Sequence, residues 1–156
     1  MQTQAGQGPW WAMLTVWAVV NGVNVLQAAG FLSRIRTGSM ELNHRLGYVM
    51  IALAVPAAAA LVGFVRAGAD WRQWIGPAVY LAFLALMIVV DYVLQIEFRS
   101  PARPEILVPY LALFFDAILL MGVPMFRVNR PLWLVTVATT VLLLGSMAAA
   151  MRKGVG

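Results

Sequence analysis

The sequence predicts an all-α integral membrane protein, a bundle of about five transmembrane helices with its N-terminus outside and its C-terminus inside. Three observations predict it. Hydrophobic residues make up 62% of the chain and charged residues only 11%, against about 45–50% and roughly 25% in soluble domains. The apolar residues fall in long blocks, near 10–32, 46–65, 74–96, 106–126 and 131–151. Each block is close to the roughly 20 residues that cross a hydrocarbon core. The basic residues stand at the block ends. Five spans with short connections leave no length for a soluble domain, so residues 1–156 read as one transmembrane domain.

The first block follows "MQTQAGQGP", which has no Lys or Arg. A signal peptide opens on positive charge and carries a shorter apolar core, so this block is expected to remain as a helix. The second contains "AVPAAAALVG", where Ala59 and Gly63 have the small-xxx-small spacing that permits close helix approach. The third is apolar until Asp91, with Gln95 four residues on. Pro101 and Pro104 break the next connection, and Pro131 suits the first turn of the fifth block. Pro56, Pro109 and Pro124 lie within or near spans, where neighbouring helices can satisfy the freed carbonyls. Trp10, Trp11, Trp71, Trp74 and Trp133 fall at the predicted outer ends, where indole rings favour the interface.

Charge sets the orientation. Arg34, Arg36, Arg45, Arg99, Arg103, Arg152 and Lys153 fall on one side; Arg66, Arg72, Arg127 and Arg130 fall on the other. The richer side is expected to be cytoplasmic, in a bacterial or archaeal cell membrane. The net charge of +5 then serves orientation and contact with anionic lipid rather than nucleic acid. The loop "SRIRTGSMELNHR" is expected to face lipid headgroups through Arg34, Arg36 and Arg45. The absence of cysteine excludes thiolate nucleophiles, cysteine zinc sites and iron–sulfur clusters. No phosphate-binding glycine loop, metal-ligand spacing or catalytic triad context is present.

Polar residues inside the spans are the candidates for function. In "NGVNVLQ", Asn21, Asn24 and Gln27 advance by three residues and form a slanting stripe on one side of a helix. Unpaired amides in hydrocarbon are costly, so the stripe is expected to face other helices. Asp91, Gln95 and Asp116 are its expected partners, in a buried layer towards the cytoplasmic half. Thr136, Thr139 and Thr140 add hydroxyls from the last span. An intramembrane carboxyl must be paired, protonated or wet, so Asp116 and Asp91, with Asn21, Asn24, Gln27 and Gln95, are candidates for a proton or substrate pathway.

The lone His44, in "NHRLGY" at the opening of the second span, is a candidate haem or proton site, with Met40 or Met50 as a second haem ligand. One histidine excludes bis-histidine ligation within the chain. With "LQAAGF" and "DYVLQIEF" at the ends of spans one and three, "NHRLGY" resembles small bacterial membrane families built like the cytochrome b561 bundle, which commonly open a helix with His, then Gly and an apolar run. The resemblance covers spans one to four and implies a redox role with haem b. The residues themselves name no cofactor. The first expectation is a small-molecule or proton-coupled transporter. The alternative is a non-catalytic accessory subunit of a membrane complex, and the third is a haem- or quinone-binding redox protein. Expected partners are lipids, and other membrane subunits or further copies of the chain.

Overall fold

Length and hydropathy dictate helices here, because a backbone in hydrocarbon must satisfy its own hydrogen bonds. The computed structural model describes residues 7–98 and 103–154. Arg99 and Pro101 lie outside these residues. The elements are α1 (Trp10–Thr37), α2 (Glu41–Ala52), α3 (Ala54–Arg66), α4 (Trp71–Met87), a π-helical turn (Ile88–Val93), α5 (Pro104–Val128) and α6 (Arg130–Arg152). Five stretches are long and apolar enough to cross a membrane: α1, α2 with α3, α4 with the π turn, α5 and α6.

The boundaries have local causes. α1 runs to Thr37 and ends at Gly38, whose φ of 66° lets its N–H reach back to the Arg34 carbonyl at 2.8 Å. The connection read as a basic loop is therefore largely helix. The α2–α3 join at Leu53 precedes Pro56, which has no N–H for the Ala52 carbonyl four residues back. Asp70 caps α4 by accepting the Arg72 N–H at 2.9 Å, and Asn129 caps α6 by accepting that of Leu132 at 3.1 Å. Pro104 and Pro131 sit in first turns, where a missing N–H costs nothing. The third span ends as a helix at Val93 rather than Ile96; Gln95 lies beyond it with a φ of 48°.

α1 is the central helix. It packs most extensively on α6 and also touches α2, α3 and α5. α4 packs on α5 and α3. Half of the α1 span is buried, against 22–39% of the other four. It also has the lowest mean hydropathy, 1.4 against 2.0–2.3. Lipid rewards polarity that is turned inward, so the least apolar helix occupies the middle.

The α4–α5 crossing is set by Gly76. A Cβ there would lie 2.7 Å from the Leu120 carbonyl carbon and the Met121 nitrogen. Pro124 lies four residues beyond Leu120 and cannot bond its carbonyl. The contact thus joins a helix face without a side chain to a backbone segment thinned by proline. Tyr80, Phe83, Phe114 and Tyr110 stack beside it, with Phe83 5.2 Å from Tyr110 and 5.3 Å from Phe114.

Candidate functional site

The expected single polar layer is divided into three separate places. The first joins α1 to α6. Asn21 Nδ2 donates to the Trp17 carbonyl at 2.7 Å and to Thr136 Oγ1 at 3.1 Å. Asn24 Nδ2 donates to Thr139 Oγ1 at 3.1 Å and to Thr140 Oγ1 at 3.0 Å. Thr139 donates to Asn21 Oδ1 at 2.8 Å, and Thr140 to the Thr136 carbonyl at 2.8 Å. Trp17 Nε1 extends the seam by donating to the Leu132 carbonyl at 2.8 Å. Thr136, Thr139 and Thr140 share a helix face at offsets of three and four, which matches the three-residue step between the two asparagines.

A count of donors follows from these contacts. An amide carries two N–H donors, and both asparagines spend both. Asn24 is fully buried, and its Oδ1 is the one amide oxygen of this pair without a hydrogen-bond partner among the described residues. The partners of the stripe are therefore threonines of the last span, not Asp91, Gln95 and Asp116. Gln27, next along the stripe, donates to Met50 Sδ at 2.8 Å, and the Met50 carbonyl accepts the Tyr80 hydroxyl at 2.9 Å. This ties α1, α2 and α4 together.

The second place is the end of the third span. Asp91 is half-buried in the π turn and accepts the Tyr110 hydroxyl at 3.0 Å. Phe98 folds back, fully buried, with its ring 5.1 Å from that of Tyr110. π turns are rare and recur at functional sites. Gln95 is exposed and off the helix, so the expected shared face with Asp91 is not formed. Nothing in the sequence marked Tyr110 as a carboxyl's partner, because a tyrosine near a helix end also reads as an interface anchor.

The third place is Asp116, and here the expectation of burial is corrected. Asp116 is exposed on the outer surface of the bundle. The inward face of α5 is formed by Tyr110, Phe114, Ala117, Ile118, Met121 and Met125. Asp116 lies two residues beyond Phe114, about 200° around the helix. It is the central residue of α5, roughly 18 Å from either end. No hydrogen bond or ion pair reaches it from the described residues.

A further correction concerns the end of the bundle where α1 meets α2. Arg34 does not face lipid headgroups; it is buried in the last turn of α1 with its guanidinium 5.1 Å from the Phe31 ring centre. Arg36 and Arg45 are exposed, and Arg45 pairs with Glu41 at 2.7 Å. His44 is exposed, its ring 4.7 Å from that of Tyr92 and 5.6 Å from that of Tyr48. Tyr92 crosses α2 at Gly47, where a Cβ would collide with its hydroxyl, and donates to the His44 carbonyl at 3.1 Å. Of the two methionines considered beside His44 as haem ligands, Met50 is buried and engaged by Gln27, and Met40 is exposed.

Two hollows are found elsewhere. An open apolar groove of about 710 Å³ runs between Trp11 and the α3 residues Ala59, Gly63 and Arg66, at the end of the second span opposite His44. An interior void beside Phe64 and Gln73 holds about 10 Å³, room for a single water. No group of three or more metal-ligating side chains occurs among the described residues. No protein-family model, curated protein or solved structure matches the chain.

Proposed function

We propose that this chain is a non-catalytic structural subunit of a membrane assembly, joined to its neighbour through the outer face of α5. The observation that carries the reading is Asp116, a carboxyl at the centre of a 25-residue span and turned away from its own bundle. An aspartate at the middle of a membrane helix costs about 2.5–3.5 kcal/mol on insertion scales. A protein–protein contact that supplies a hydrogen-bonding partner offsets that cost; lipid tails do not. The α1–α6 layer fits the same reading. Its four amide protons are all committed to groups of the bundle, which is the arrangement of an interhelical lock. On this reading the richer basic side faces the cytoplasm, as the positive-inside rule favours, with the N-terminus outside and the C-terminus inside in a bacterial or archaeal cytoplasmic membrane. The test is the mass of the particle released from its membrane in lipid nanodiscs. An assembly larger than the 17.0 kDa chain is expected, and a lone chain at all protein-to-lipid ratios would sink the reading.

A second reading, a proton-coupled carrier, is favoured by Asp91. This carboxyl lies in a π turn, is partly open and is held by a hydroxyl that can pass a proton. Proton flux into vesicles that survives Asp91→Asn unchanged would remove it.

A further inference from the structure

The open groove on the second span has an order of polarity along its length that says what fills it. We infer that it holds one phospholipid of net negative headgroup, with the phosphate on Arg66 and an acyl chain lying along α3 against Trp11.

The groove is walled by Trp11 of α1 and floored by Ala59, Val62 and Gly63 of α3. Its volume of about 710 Å³ lies in the range of small-molecule sites, about 300–1,000 Å³. An added Cβ on Gly63 would lie 2.5 Å from the Trp11 ring, so the glycine lets the indole stand close against α3 and form the wall. Ala59, one turn earlier, is exposed. The groove follows α3 from Ala58 to Ala67, about 14 Å at 1.5 Å per residue. Polarity changes once over that length. Ala58, Ala59, Val62 and Gly63 offer hydrocarbon, and Arg66, exposed in the last turn of α3, stands at the mouth. Trp10, Trp11 and Trp71 lie at the same end of the bundle, as indoles do at a membrane interface. A phospholipid has this order: anion at the interface, chain inward.

Charge complementarity selects the headgroup. Arg66, Arg72, Arg127 and Arg130 stand at this end, with Asp70 the single carboxylate there among the described residues. Asp70 is engaged as the cap of α4, accepting the Arg72 N–H at 2.9 Å. No ion pair or hydrogen bond reaches Arg66 from the described residues. Its guanidinium is a planar fork of donors that matches phosphate oxygens. No carboxylate lines the groove, so the ammonium of a zwitterionic headgroup finds no partner, whereas phosphatidylglycerol needs none. An apolar helix of another protein would fill the hydrocarbon part and leave the guanidinium unpaired. The site stands whether or not the chain has a neighbour on α5.

The test uses the full chain in vesicles of phosphatidylcholine and phosphatidylglycerol in equal parts, with a trace of phosphatidylglycerol carrying a diazirine on one acyl chain. Adducts formed on illumination are located by peptide mass spectrometry. Label is expected on Trp11 and Val62 above that on Leu134 and Val141, which are exposed on α6 and report ordinary lipid contact. The phosphatidylcholine analogue should label the groove less. Arg66→Gln should lower groove labelling by phosphatidylglycerol about fivefold, the loss of one cation's attraction. Arg130→Gln, at the same end and outside the groove, should leave it unchanged. Ala59→Phe fills the groove from an exposed position, so it should remove the label from Val62 while circular dichroism stays that of the parent.

Groove labelling no higher than that of α6, equal labelling by the two lipids, or an Arg66→Gln loss no larger than that of Arg130→Gln overturns the inference. A benzophenone side chain at Val62 that couples in cells to a second protein in place of lipid overturns it as well, and leaves the subunit reading standing.

Discussion

Two helix seams in this bundle do the same task by different means. The α1–α6 seam is held by amides and hydroxyls: Asn21 and Asn24 against Thr136, Thr139 and Thr140. The α4–α5 seam is held by backbone approach at Gly76, with rings of Tyr80, Phe83, Tyr110 and Phe114 filling the space beside it. Lipid tails are as apolar as leucine, so burying apolar surface drives neither seam; close packing and hydrogen bonds must. The two means fail differently. Packing tolerates no added volume, whereas a hydrogen-bonded layer loses one modest bond at a time.

The largest effect should therefore come from the packed seam. Gly76→Leu drives a side chain into the backbone of Leu120 and Met121, which cannot rotate away. Overpacking costs about 1–3 kcal/mol where neighbours can yield, and the cost here should lie at or above the top of that range. Gly145, exposed on α6 with nothing near its missing Cβ, is the matched control. In an SDS titration followed by circular dichroism, Gly76→Leu should abolish the folded baseline and Gly145→Leu should leave it in place. Equal behaviour of the two would show that the crossing is not set by Gly76.

The hydrogen-bonded seam should give less. Asn24→Leu deletes two amide donations, yet strands no hydroxyl donor. Thr139 still donates to Asn21 Oδ1, and Thr140 to the Thr136 carbonyl. It also removes the buried Oδ1 that lacks a partner. A loss of about 1 kcal/mol in the same titration is expected, since interhelical bonds in membranes average roughly 0.6 kcal/mol. Thr139→Val, which removes the acceptor of one Asn24 bond and the donor to Asn21, should cost about as much or slightly less. A loss of several kcal/mol from either would mean that the layer is cooperative beyond its pairwise bonds.

The difference between the seams also explains what the sequence could disclose. The five spans were legible because length and hydropathy fix them, and each observed helix covers its expected block apart from the last three residues of the third. The inward turn of Asn21 and Asn24 was legible because two amides in lipid demand partners. The identity of those partners was not. Thr136, Thr139 and Thr140 offered the matching face, but a carboxyl in hydrocarbon is costlier than a hydroxyl, which pointed to Asp91 and Asp116 instead. Asp116 misled for a specific reason. α5 is apolar nearly all round, with Asp116 the one charged residue between Ile106 and Phe126, so hydropathy marks its inner face poorly. Its inner face is marked instead by aromatic and small residues, Tyr110, Phe114, Ala117 and Gly122, and the step from Phe114 to Asp116 points the carboxyl away from them. Tyr110 and the π turn at Asp91 left no sign in the sequence, because both depend on how the chain folds back at Phe98.

The smallest effect on the bundle is expected at the residue with the greatest electrostatic cost. Asp116 contributes no hydrogen bond to either seam, so Asp116→Leu should leave the unfolding midpoint of the isolated bundle in monodisperse detergent within about 0.5 kcal/mol of the parent, the range of a surface change. The same replacement removes an insertion cost of about 2.5–3.5 kcal/mol from the middle of α5, so insertion of that segment, measured by glycosylation mapping in a translocon assay, should improve. The two measurements together pose the question sharply. If Asp116→Leu instead unfolds the isolated bundle, the carboxyl meets a group of its own chain, and its outward placement on α5 is wrong. If stability holds and insertion improves, the aspartate is carried at a cost that the single bundle never recovers, and its benefit must lie outside that bundle.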